Sequence, residues 1–478
     1  MLITITLISY FAVLLLFSKL TTRRTDNNTF FTGERRSPWY LVAFGMIGAS
    51  ISGVSFVSVP GMVNSIGMNY LQTCLGFILG YFAVAFLLLP VYYRLRLTTI
   101  YSYLQERLGP LSRKTGAGFF LLSKMAGAAV KFYVACFILQ RFVLDALGIP
   151  FVLSVCAMVC MIWLYTRRGG IKTLVWTDTL QTLCIFLALI LMIIKVCEAL
   201  GWTAGDAVSN IIHDSRSSIF VFDDWISKQN FWKQFLSGAF IVIVMTGLDQ
   251  DMMQKNLTCK TLREAQKDMC TYGLAFFPAN MLLLCLGILV SHYTMRQGMP
   301  LPLAGDELLP TIISAGSLGS LVSVLFVLGI VAASFSSADS ALTSLTTCFC
   351  VDIRERPTDE RLRHRTHLLM AIVFTGAVIL FRLVNSSSLI DTIYTIVSYT
   401  YGPLLGLFAF GLLTNRPTRD NFVPVVCVLS PFVCYALDLS AQHFMGYQFG
   451  YELLMLNGLL TFLGLFAFSF KASPGKRN

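Results

Sequence analysis

The sequence predicts an all-α integral membrane protein of about thirteen transmembrane helices, and two observations carry that prediction. The first is composition: of 478 residues, 56% are hydrophobic and 13% charged, with a mean hydropathy of +0.70, whereas soluble domains carry about 25% charge. The second is periodicity. Apolar runs of about 20 residues, enough to cross a ~30 Å bilayer core as helix, recur from residue 2 to residue 470. They are continuous rather than alternating, which excludes a closed barrel.

The runs lie near 2–18, 39–68, 69–92, 114–146, 150–166, 172–200, 231–249, 268–293, 318–351, 366–385, 388–413, 421–437 and 450–470. The join between the second and third falls around Asn64 to Asn69. The first run lacks a basic leading region and a small-residue cleavage site, so it is read as a retained helix. No soluble interval is long enough for a second domain, and residues 1–478 are read as one transmembrane unit.

Basic residues set the expected orientation. Alternate connections and the C-terminal tail hold 27 of the 36 Lys and Arg residues, including the segments 255–267 and 354–365. The positive-inside rule then places the N-terminus outside and the C-terminus in the cytoplasm. The net charge of +11 is thus largely a topology signal. Its dispersal among short loops argues against a nucleic-acid partner. Most of the 13 cysteines lie within apolar runs and are read as small packing residues. The histidines at 213, 292, 364, 367 and 443 form no ligand set at metal-site spacing, so a membrane metalloenzyme is not expected.

One stretch asks for explanation: VAASFSSADSALTSL, residues 331–345, sets hydroxyls and an aspartate inside an apolar run. On a helix, Gly329, Ala333, Ser336, Ser337, Ser340 and Ser344 share a face. Small residues let transmembrane helices approach closely, and serine can bond its own helix's carbonyls. Asp339 adds an ionisable group at mid-depth, where insertion costs about 2.5 to 3.5 kcal/mol and where such groups mark ion or proton paths.

A sodium site needs hard oxygens, and a continuous helix has already used its carbonyls, so a broken partner helix is required. MIGASISGVSFVSVPG, residues 46–61, is a candidate, punctuated by Gly48, Gly53, Pro60 and Gly61. Carbonyls of Gly48 and Ile51 with hydroxyls of Ser336 and Ser337 would form an oxygen cage; a kinked helix with packing glycines is the alternative. Asp178, in GGIKTLVWTDTLQTL (169–183), is a third element. It reads equally as an interfacial cap or as a partner of Lys172.

At these residues the chain resembles the sodium:solute symporter family. GG…WTDTLQ, AASFSSADS followed by VDI, TTIYSYLQERLG (98–109), GLDQDMMQKNL…AQK (247–267) and YGPLLGLFAFGLL (401–413) stand in that family's order and spacing over nearly the whole chain. The resemblance implies a LeuT-type core of five helices (39–200) and five inverted helices (231–413), with peripheral helices at 2–18, 421–437 and 450–470. It implies a sodium-driven importer working by alternating access, with discontinuous helices at 46–61 and around 240–250 flanking the solute. Carried over motif by motif, the sodium ligands are the carbonyls of Gly48, Ile51 and Ala333 and the hydroxyls of Ser336 and Ser337. A second sodium, known in some members, would use Asp178, Ser334, Ser336 and Ser337.

The solute is less legible. Sugar-transporting relatives carry amide, acidic and tyrosine side chains where this chain has Ser55, Cys74 and Met245. Sialic-acid-type relatives match better at Ser50, Ser52 and Ser55, but their carboxylate-binding arginine corresponds to Gly127, with Lys131 one turn farther on. Lys131, about 17 residues into its helix, should meet an anion: a solute carboxylate, or a structural partner such as Asp339. Thr73, Gln72, Tyr394, Thr395 and Ser398 are further candidates for the solute route, with packing as the alternative. Lys195 and Glu198 are read as an i, i+3 pair, Asp249 and Gln250 as inner-gate residues at a helix end, and 201–230 as an external cover. The expected function is therefore sodium-coupled import of a small organic solute, a carboxylate-bearing sugar acid or similar anion. Its partners would be the solute, sodium and the bilayer, with no obligate protein partner. The alternatives are a transport-inactive nutrient sensor or a symporter of a neutral solute. No repeated pore loop suggests a channel, and no nucleophile with a matching base suggests an enzyme.

Overall fold

The computed structural model describes all residues except 1, 22–25, 226, 302–304, 317, 385–388, 448 and 471–478. Among the described residues, nine single helices are long and apolar enough to cross a membrane, and three more spans are bent helix pairs. The single helices are α1 (Leu2–Thr21), α4 (Tyr70–Arg94), α5 (Pro110–Leu144), α6 (Phe151–Gly169), α7 (Ile171–Leu200), α10 (Leu262–Arg296), α11 (Ser320–Ile353), α12 (Glu360–Leu383) and α15 (Asp420–Met445). The bent pairs are α2 (Trp39–Ser50) with α3 (Gly53–Ile66), α8 (Phe231–Gly247) with α9 (Gln250–Asn256), and α13 (Leu389–Thr400) with α14 (Gly402–Leu413). A shorter apolar helix, α16 (Leu453–Ala467), follows.

The bends are 61°, 69° and 42° in chain order. Both five-helix units assigned from the resemblance open on a broken span. The third bend, at Tyr401 before Gly402 and Pro403, divides the run read from sequence as one helix over 388–413. The seventh run also extends beyond its expected end at 249: the chain breaks at Leu248 and Asp249 and continues as α9, in which every residue is buried.

Helix α11 is the axis of the molecule. In its most apolar window 83% of residues are buried, against 22% in α1 and 28% in α15, which leave their large apolar side chains facing outward toward lipid. Small residues make that central position attainable, because α11 packs against α7, α5 and α3 at once. Two glycines of the first bent pair sit close against their neighbours: a Cβ on Gly48 would lie 1.9 Å from Thr182 Oγ1 on α7, and one on Gly53 would lie 2.1 Å from Ser334 Oγ on α11. The segment before α8 docks by backbone and amide contacts. Arg216 O accepts from Met68 N at 2.8 Å, while the Gln72 amide holds Gln229 O at 2.9 Å and Val221 N at 3.1 Å.

Candidate functional site

The first broken span supplies backbone oxygens. Ile51 N–H still donates to Ile47 O at 3.0 Å, but Ser52 N–H turns to Ser50 O at 3.0 Å. The Ser52 hydroxyl then accepts from Ser55 N at 3.4 Å and starts α3. The Gly48 and Ile51 carbonyls therefore lack the i+4 amides that a continuous helix would give them. The break falls at Ile51 and Ser52, whereas Pro60 and Gly61 lie inside α3. A capping serine after Gly48, rather than the proline, sets the break.

Helix α11 meets this break with its hydroxyl face. Ser337 Oγ donates to Ala49 O at 3.1 Å, and Ser336 Oγ donates to Asp178 Oδ1 at 2.7 Å. Ala333, one turn earlier, is fully buried, as is Ile51. Ser337 thus reaches the first break directly, while Ser336 turns to Asp178 on α7. Among the described residues, buried Ser334 finds no hydrogen-bond partner, and its hydroxyl faces Gly53.

Asp178 is engaged in a way the sequence reading did not expect. Its Oδ2 lies 2.8 Å from Lys255 Nζ, a close ion pair with only 0% and 2% of the two side chains exposed. Lys172 pairs with Glu34 instead, at 2.8 Å. Asp339 accepts from Tyr165 Oη at 2.6 Å and from Ser340 Oγ at 3.2 Å, and makes no contact with Lys131. Each Asp178 oxygen thus already has a neighbour, a hydroxyl on one and an ammonium on the other. Lys255 and Arg363, counted from sequence as loop charges, are each only 1% exposed.

A cavity of about 130 Å³ opens beside the break. Ser50, Ser52, Ser55, Ser337, Gly127 and Lys131 line it, together with Met245, Tyr272 and Tyr394. Ser50 Oγ forms a short hydrogen bond with Tyr272 Oη, which accepts from Tyr81 Oη at 2.7 Å. Two lysines on one face of α5 enter the cavity with opposite fates. Lys124 bridges Asp249 at 3.2 Å and Asp251 at 2.6 Å. Among the described residues, no ion pair reaches Lys131.

Asp249 also accepts from Tyr401 Oη at 2.6 Å and caps α9 through Asp251 N at 2.8 Å. It thus lines the cavity from the break between α8 and α9. Thr73 does not reach the cavity: it is fully buried and bonds the Gln234 side chain. Thr395 is exposed, while its neighbours Ile393, Tyr394 and Val397 turn inward. Reasoning from sequence missed Lys124, Asp251 and Lys255. The signal for the last two was present as Asp251 and Lys255 at i, i+4 around a methionine pair.

A broken span offering free carbonyls to a hydroxylated helix, beside a largely apolar cavity with a few serines and two lysines, is the architecture of a secondary transporter. The sodium:solute symporter family profile matches residues 30–421, and the chain belongs to that family. The human sodium/iodide cotransporter is 27% identical over 262 residues, which span 55% of this chain and 40% of that protein. The sodium/sialic acid symporter NanT of Aliivibrio fischeri is 25% identical over 475 residues, covering 92% of this chain and 88% of its own. In three dimensions, a Na+-coupled sialic acid symporter solved in a substrate-bound outward-open state superposes with a TM-score of 0.83 over 97% of both chains, at 19% identity.

Proposed function

We propose that the chain is a sodium-coupled symporter, not an enzyme, that imports a small carboxylate-bearing solute by alternating access. In this reading it sits in the inner (cell) membrane with its N-terminus outside and C-terminus in the cytoplasm. The carrying observation is the meeting of the α11 hydroxyl row with the break at residues 48–51, where Ser337 bonds Ala49 O. A sodium ion there would take the carbonyls of Gly48, Ile51 and Ala333 and the two hydroxyls. All five donors are neutral hard oxygens, suited to an ion that must bind and leave.

Sodium would pin α2 and α3 against α11, favouring the state in which the cavity faces outward. Inward movement of one sodium through 100 mV releases about 2.3 kcal/mol, but a monoanionic solute carried with it takes the same amount back, so a one-to-one cycle runs on the sodium concentration gradient.

Lys131 supports an anionic solute, because its ammonium lines the cavity without a carboxylate partner. A solute carboxylate at that position would supply the missing charge, with Ser50, Ser52 and Ser55 left to bond its hydroxyls. The cargoes named for the two relatives above, iodide and sialic acid, share negative charge. A sugar acid of the sialic-acid kind is the reading favoured by the serine row. The small volume, about 130 Å³, favours a second reading in which the solute is a short monocarboxylate.

The test is uptake into liposomes holding the purified protein under an inward sodium gradient, with labelled sialic acid, a monocarboxylate and a neutral hexose. Sodium-stimulated accumulation of an acid is expected, and none of the hexose. Accumulation of the hexose alone would overturn the anion reading. No sodium-stimulated uptake of any solute would favour a sensor.

A further inference from the structure

We infer that Lys255 is a tethered cation that fills the place of a second sodium at Asp178, so that the chain binds one sodium per transport cycle. The inference rests on the symport reading above and deepens it. Asp178 offers two oxygens. One accepts from Ser336 at 2.7 Å, and the other lies 2.8 Å from the Lys255 ammonium. A sodium ion on the second oxygen would stand against a like charge in a medium that screens it poorly.

The short helix that carries the ammonium is fastened on both sides. Gln254 Nε2 donates to Phe31 O at 2.8 Å and Thr347 Oγ1 at 2.9 Å. Asn256 Nδ2 donates to Ala265 O at 3.0 Å and Asp268 Oδ2 at 2.5 Å. Other carboxylates near Lys255 are committed elsewhere: Asp251 holds Lys124 at 2.6 Å, and Asp339 accepts from Tyr165 at 2.6 Å. Among the described residues, neither member of the pair enters a second ion pair. The pair also keeps the surroundings of the Ser336 and Ser337 hydroxyls close to neutral, so one mobile cation can enter without facing an uncompensated charge.

Counting bound 22Na+ on the purified protein in lipid nanodiscs tests this without knowledge of the solute. Saturation at one sodium per chain is expected for the wild type and for Lys255→Arg. Lys255→Met, which frees the Asp178 oxygen, should saturate at two, and the double variant Lys255→Met/Asp178→Asn should return to one. Two sodium ions on the wild type, or one on a folded Lys255→Met, would overturn the inference. The wild-type count decides even where Lys255→Met fails to fold. No bound sodium on the wild type would instead remove the symport reading, and the inference with it.

Discussion

The first two of the three broken spans solve the same geometric problem with opposite chemistry. In α2 and α3 the break is made by serine and glycine, and no charged side chain lies within residues 39–66. It leaves neutral carbonyl oxygens opposite neutral hydroxyls. In α8 and α9 the break is capped by Asp249, and the short second helix carries Asp251 and Lys255. These charges are compensated at once by Lys124 and Asp178. The difference suggests a division of labour in which neutral oxygens serve the ion that comes and goes, while fixed ion pairs hold the bundle together.

The comparison is broken most severely at the fixed pair. Asp178→Asn leaves the Lys255 ammonium buried without a counter-charge, and removal of one partner of a buried pair costs about 3 to 5 kcal/mol. A marked fall in thermal unfolding temperature in detergent is expected, partly restored in Asp178→Asn/Lys255→Met. An unchanged temperature in the single variant would mean that the pair contributes little.

Lys131→Gln probes the cavity cation that has no fixed partner. Loss of a charge-assisted contact to the solute should cost about 2 to 3 kcal/mol, or roughly 30- to 150-fold in solute affinity. Sodium-dependent conformational change should persist. Equal loss of both would make Lys131 a structural residue.

Ser337→Ala addresses the neutral break. Losing one of five oxygen ligands should weaken sodium binding by about 1 kcal/mol, near fivefold, with little change in unfolding temperature in the absence of sodium. The smallest effect lies outside the bundle. Asp214 bonds Arg216 at 2.6 Å and His292 at 2.8 Å, and the Arg216 hydrogen bond holds its carboxyl well below the usual carboxylate range. A depressed carboxylate stabilises above its unfolded pKa and loses that contribution only as pH falls through the folded value. Protection of residues 204–217 in hydrogen exchange should therefore be reduced in Asp214→Asn at pH 8, where the carboxylate is ionised in both the folded and the unfolded chain.

Much of this was legible in the sequence, because bilayer crossing imposes long apolar runs and the serine row of α11 has helical spacing. The location of the first break was only partly legible. Pro60 is the stronger breaker by propensity, yet it is accommodated within α3, and the Ser52 cap ends the helical register first. Lys255 was hidden for a physical reason: a run of charges after an apolar segment reads as a loop, and only folding shows that Asp178, from a distant helix, neutralises it. Thr73 and Thr395 were misjudged because hydroxyls on apolar helices carry no mark of which side they face. Helix rotation decides that, and it is set by neighbours far along the chain.

The central claim is that Ser336 and Ser337, with the carbonyls at the first break, hold the coupling sodium. Titration of sodium onto the purified Ser336→Ala/Ser337→Ala variant tests it most directly. The account predicts affinity weakened by about 30-fold or more with the fold intact, about 2 kcal/mol for two lost ligands. A sodium affinity equal to that of the wild type would contradict it.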